Sequence, residues 1–202
     1  MTRFQLQLLA ALLMVTPTAV DAQGVVVQSK ASIQSDCRVA ANVVSTGDPS
    51  GKRAWAHGVI RRCPQAEDAI ASAWKRSLSD TELKERENVS ALMLDRRVLN
   101  AALSGLTSTT RPLEERRSAL AVLTALYAPG RMLTMHFWDD PANTSLAHVM
   151  DWSPQPGAQT ITVADRQRVL AALEEIATTD PSPKLRTVTT ALVKQLKRAT
   201  PK

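Results

Sequence analysis

Two cysteines, three histidines, seven glycines and one tyrosine in 202 residues leave several kinds of chemistry without material. One cysteine pair, with no CxxC spacing, supplies neither a dithiol redox motif nor a cysteine-rich metal cradle. The glycines form no phosphate-cradling loop, and no GxSxG elbow or HExxH pair marks a nucleophile or a catalytic metal. Aromatic residues make up only 3 % and are not interleaved with basic ones, so stacking platforms for single-stranded nucleic acid are missing and nucleic acid is not an expected partner. No apolar run approaches the ~18 residues of a membrane-spanning helix, so membrane insertion is not expected either.

The charge and apolar pattern of the first 22 residues is informative. Arg3 precedes an apolar run from Leu6 to Val15, and Val20-Asp21-Ala22 ends on small residues at the positions a signal peptidase reads. The expectation is a signal peptide at 1–22, cut near Ala22, and a secreted or periplasmic chain over 23–202. Cys37 lies too far downstream to serve as a lipobox cysteine. Removing Arg3 with Asp21 leaves the net charge at +6. Beyond Asp180 the sequence has six basic residues and no acidic one. A basic last helix complements its own negative end and is otherwise solvated, although such an excess also favours a protein or an anionic polymer as partner.

In an oxidising compartment an even cysteine pair reads as a disulfide. Cys37 and Cys63 flank Gly47-Asp48-Pro49-Ser50-Gly51 symmetrically, and apolar residues recur at helical spacing on both sides: Ile33, Cys37, Ala40, Ala41 and Val44, then Trp55, Val59, Ile60 and Cys63. Two antiparallel helices joined at this turn would bring the cysteines face to face.

Helical signals continue. Pro64 opens a segment through Ile70, Trp74 and Leu78, and Ser79 with Glu82 forms a capping box for a helix toward Leu92. Asp95 caps a segment with Val98, Leu99, Ala102, Leu103 and Leu106 on one face. Pro112 opens a helix that Pro129-Gly130 stops. Thr162 with Asp165, and Ser182-Pro183, start the last two. Leu120, Leu123, Leu170, Leu173, Leu192 and Leu196 fall on the inward stripes.

These segments pair with a period of about 31 residues from 33, 64 and 95, with a final pair over 163–199. Glu115-Arg116-Arg117-Ser118-Ala119-Leu120-Ala121-Val122-Leu123 aligns with Asp165-Arg166-Gln167-Arg168-Val169-Leu170-Ala171-Ala172-Leu173, and this pattern resembles the helices of HEAT-like repeats. The Trp-x-x-Leu-Gly-x-x-Tyr opening of tetratricopeptide repeats is missing. The resemblance implies an all-α, right-handed α-solenoid of about four antiparallel helix pairs in a single domain, and a binding or scaffolding surface in place of a reaction.

Residues 130–161 interrupt the pattern before the last pair, as an irregular or hairpin insert. Its candidate binding residues are His136, Trp138, Asp139, Asp140, His148, Asp151 and Trp152, which no helical period accounts for. A hairpin turning about residue 142 would set His136 opposite His148. Without a recognised ligand spacing this pair is not read as a metal site, and no cofactor or catalytic residue is assigned. The alternative is a small extracytoplasmic metal-dependent hydrolase that uses these His and Asp side chains.

Overall fold

A computed structural model describes residues 30–46, 52–79, 81–84, 86, 95–149 and 158–199. Among the described residues the chain is all-α apart from one two-stranded ribbon. Its helices are α1 (Lys30–Thr46), α2 (Arg53–Ile60), α3 (Ala66–Trp74), α4 (Leu99–Thr107), α5 (Leu113–Tyr127), α6 (Met135–Asp139), α7 (Val163–Thr179) and α8 (Pro183–Ala199). A further helical stretch covers 81–84, and a 3-10 turn, Arg96–Val98, leads into α4. No helix among the described residues is long and apolar enough to cross a membrane. The proposed signal peptide, the Gly47–Gly51 turn, the end of the helix expected toward Leu92, and residues 150–157 lie outside the described residues.

The first layer is α1 packed on α2 and α3. Cys37, Ala40, Ala41 and Val44 form the buried face of α1, and Ala56, Val59 and Ile60 that of α2. Cys37 and Cys63 are joined by a disulfide across a Cα–Cα distance of 5.8 Å. Closing a loop with a sequence separation of 26 stabilises the fold by about 3.5 kcal/mol in the chain-entropy picture. Trp55, expected inward, is 42 % exposed. The buried stripe of α2 follows Ala56, Val59 and Ile60 at i, i+3 and i+4, which leaves position 55 at its edge.

The helix expected from Pro64 to Leu78 is shorter at both ends. Gln65 has a non-helical backbone (φ −125°, ψ 44°), so α3 begins at Ala66, and it stops at Trp74. Just beyond it the Ser79–Glu82 capping box is formed: the Ser79 N–H donates to Glu82 Oε2 at 2.9 Å and the Glu82 N–H to Ser79 Oγ at 3.4 Å. Asp95 caps the next turn by accepting from the Arg97 N–H at 3.0 Å. Thr162 and Asp165 form a complete capping box at the start of α7.

Helix α5 is the centre of the molecule: every residue from Glu115 to Tyr127 is buried. It packs against α4, α7 and α8, and α4 in turn packs against α3. In chain order α1 packs on both α2 and α3, α4 on α5, and α7 on α8, with α3 touching α4 and α5 touching α7 and α8. Leu120, Leu123, Leu173, Leu192 and Leu196 are buried as their periodicity predicts, while Leu170 is half-buried against the core.

Two arginine–aspartate pairs lock these layers. Arg116 makes a bidentate pair with Asp180 in the α7–α8 turn, and its Nε donates to the Leu106 carbonyl of α4 at 2.8 Å. Arg96 makes the second, with Nε and Nη2 donating to the Asp165 carboxylate at 2.6 and 3.1 Å. Each pair satisfies charges that would otherwise be costly to bury.

Candidate functional site

The insert begins where α5 must stop. Gly130 has φ +83°, a conformation that side-chain-bearing residues rarely adopt, and its carbonyl accepts from the Val149 N–H at 2.9 Å. Between these points Arg131–Met132 pairs antiparallel with Ala147–His148. Thr134 then accepts from the Phe137 N–H at 3.2 Å and caps α6, which turns the chain out of the ribbon after only two paired residues.

That cap corrects the hairpin expected about residue 142. His148 lies opposite Arg131, not opposite His136, because His136 has already entered α6. Both histidines are exposed. Among the described residues no group of three His, Cys, Asp or Glu side chains is placed to hold a metal ion, so the hydrolase alternative gains no support from this geometry.

The remaining candidates divide. Trp138 is 4 % exposed and joins Leu133, Phe137 and Leu146 in the core, so its ring plugs the molecule and is not displayed to a partner. Lys184 of α8 sits 5.8 Å from the centre of that ring, and its Nζ donates to the Asp139 carbonyl at 3.1 Å. Asp139 is exposed. Asp140 is committed to the turn, accepting from Asn143 Nδ2 at 3.1 Å. Asp151 and Trp152 lie outside the described residues.

What the insert does build is a cleft against α8. Gln195 donates from Nε2 to the Thr144 carbonyl at 2.8 Å and accepts at Oε1 from the Leu146 N–H at 2.9 Å, so both ends of one amide hold the loop to the helix. On either side of it are two depressions of about 300 and 550 Å³, and Gln195 and Arg198 line both. Arg131 completes the charge of the first; Arg186 and Lys194 add theirs to the second. Among the described residues no acidic side chain lines either one. Ser145 adds a neutral hydroxyl to the first, whereas the Thr187 and Thr190 hydroxyls along the second donate to the Pro183 and Arg186 carbonyls of their own helix.

The neighbouring cation of α8, Lys197, is neutralised by Glu174 at 2.6 Å. Lys194, Arg198 and Arg131 make no such ion pair among the described residues, so their charge faces the cleft uncompensated. The sequence displayed these cations, but their helical spacing reads equally well as a solvated face. What it withheld was the loop folded over them. Comparison of the chain with family models, with curated proteins and with solved structures gave no match.

Proposed function

We propose that this protein is an extracytoplasmic helical binding module whose hairpins stack as a right-handed solenoid and whose insert and last helix together hold an anionic polymer. The observation that carries this reading is the cleft beside Gln195: four cations line its two depressions, no carboxylate is among the described residues that line them, and an amide fixes the loop that forms one wall. Two depressions that share Arg198 suit an extended ligand with repeated negative charge better than a single small ion. The N-terminal apolar pattern and the disulfide support placement outside the cytoplasm. The helices supply a rigid support for the cleft.

The test is titration with polyphosphate and with polyglutamate at several salt concentrations. The wild type should bind with an affinity that falls as salt rises, because each neutralised cation releases a counterion. A Lys194→Glu, Arg198→Glu double variant should bind at least tenfold more weakly with an unchanged melting temperature. Equal binding by the double variant, or no binding of either polymer at low salt, refutes the assignment.

A further inference from the structure

A second site lies at the opposite end of the helical array, on the seam between α1 and α3. On α1 the side chains of Ile33 and Cys37 stand one turn apart; on α3, Ala69 and Ala73 do the same. The two alanines are too short to fill the space between the helices, and Pro64 closes one end where the chain enters α3. The result is a groove of about 910 Å³ with mainly apolar walls, within the ~300–1,000 Å³ range of small-molecule sites. The disulfide between Cys37 and Cys63 ties α1 to the turn between α2 and α3, next to Pro64. Among the described elements α1 packs mainly on α2 and α3, and the described residues that line the groove come from α1, α3 and the turn before α3.

Its rim has a definite sign. Among the described residues, Arg38, Arg62 and Arg76 line it against one acidic side chain, Asp68. Arg76 is already paired with Glu82 at 2.7 Å. Arg62 uses its Nε on the Gly58 carbonyl at 3.3 Å, which leaves the outer nitrogens of its guanidinium available. Arg38 forms no ion pair among the described residues. An apolar trough with two available guanidinium groups at its lip complements a molecule with an alkyl body and one anionic head. A purely apolar ligand would leave those cations unused, and a cationic one would be repelled by them.

We infer that the α1–α3 groove is a binding site for a single-chain anionic amphiphile, with the alkyl chain against Ile33, Cys37, Ala69 and Ala73 and the carboxylate or equivalent anion held by Arg38 and Arg62. This site is separate from the cleft on α8, and it stands or falls independently of it.

Calorimetric titration of the whole protein with three C12 amphiphiles below their micellar concentrations tests this: dodecanoate, dodecyltrimethylammonium and dodecyl maltoside. Dodecanoate should bind at one to one and at least tenfold more tightly than the cationic and neutral analogues. Ala69→Trp, which fills the trough, should abolish binding, and Arg38→Glu with Arg62→Glu should weaken it at least tenfold, with polyphosphate binding unchanged in all variants. Equal affinity for the three head groups, or full dodecanoate binding by Ala69→Trp, overturns the proposal. So does a dimer in sedimentation that Ala69→Trp dissociates, since the groove would then hold a second copy. Faster proteolysis ahead of Lys30 in that variant would assign the groove to the chain's own preceding residues and overturn it equally.

Discussion

Arg116 and Asp180 are each almost fully buried, and they lie 64 residues apart in the chain. Burial alone would raise the Asp180 pKa, but the Arg116 guanidinium and the Ser182 N–H outweigh it and hold the carboxyl below its usual range. Removing one member would strand the other charge in the core, which typically costs about 3–5 kcal/mol. Arg116→Met should therefore destabilise by that amount in urea unfolding at neutral pH, whereas a loss below ~1 kcal/mol would show that water reaches Asp180 and solvates it. A different balance holds at Arg86, where burial lowers the guanidinium pKa to about 10 while Glu115 works the other way. It still carries its charge at neutral pH, 4.4 Å from the centre of the Trp74 ring and donating to the Ser45 carbonyl near the end of α1. From the sequence, Arg116 is legible as a charged residue in the first turn of a helix, and nothing local indicates that it is buried. Its partner is set by how two hairpins stack, and no spacing rule reports that.

At the scale of elements, legibility follows the range of the interaction. The caps at Ser79, Asp95 and Thr162 could be read because each is a contact between residues two or three apart. The disulfide could be read because the Gly47–Gly51 turn signal lies midway between its cysteines in the sequence. The insert could not, because a short polar segment admits several registers and only the Thr134 cap decides among them. Its attachment to α8 through Gln195 spans about fifty residues. Gln195→Ala removes both bonds at once while leaving Phe137 and Trp138 in the core. Amide exchange at Leu146 should speed up at least tenfold while exchange within α5 stays unchanged. Uniform acceleration across the molecule would mean that the insert and the helices open as a single cooperative unit.

At the scale of the whole molecule, the carboxylates that join layers determine the response to acid. Hydrogen bonds from the Arg96 guanidinium hold Asp165 well below the ordinary carboxylate range, and Asp180 is also lowered. A carboxyl with a depressed native pKa stabilises the fold above its unfolded value of ~3.9, and that contribution is lost as pH falls below it. Asp95 behaves oppositely: burial raises its pKa, so its charge costs stability at neutral pH, and protonation on acidification relieves that cost. Stability should therefore rise slightly as pH falls through the raised Asp95 pKa, then drop below about 4 as the inter-layer aspartates protonate. Asp165→Asn retains a capping oxygen for the Thr162 backbone but loses the charge that faces Arg96. Its urea midpoint should be lower at pH 7 and change less between pH 5 and pH 3 than that of the wild type. Asp95→Asn retains the cap to Arg97 and should remove only the rise. If both variants follow the wild-type curve, the acid transition is set by the net positive charge of the whole chain and not by these pairs, and the assignment of layer-locking to Asp165 fails.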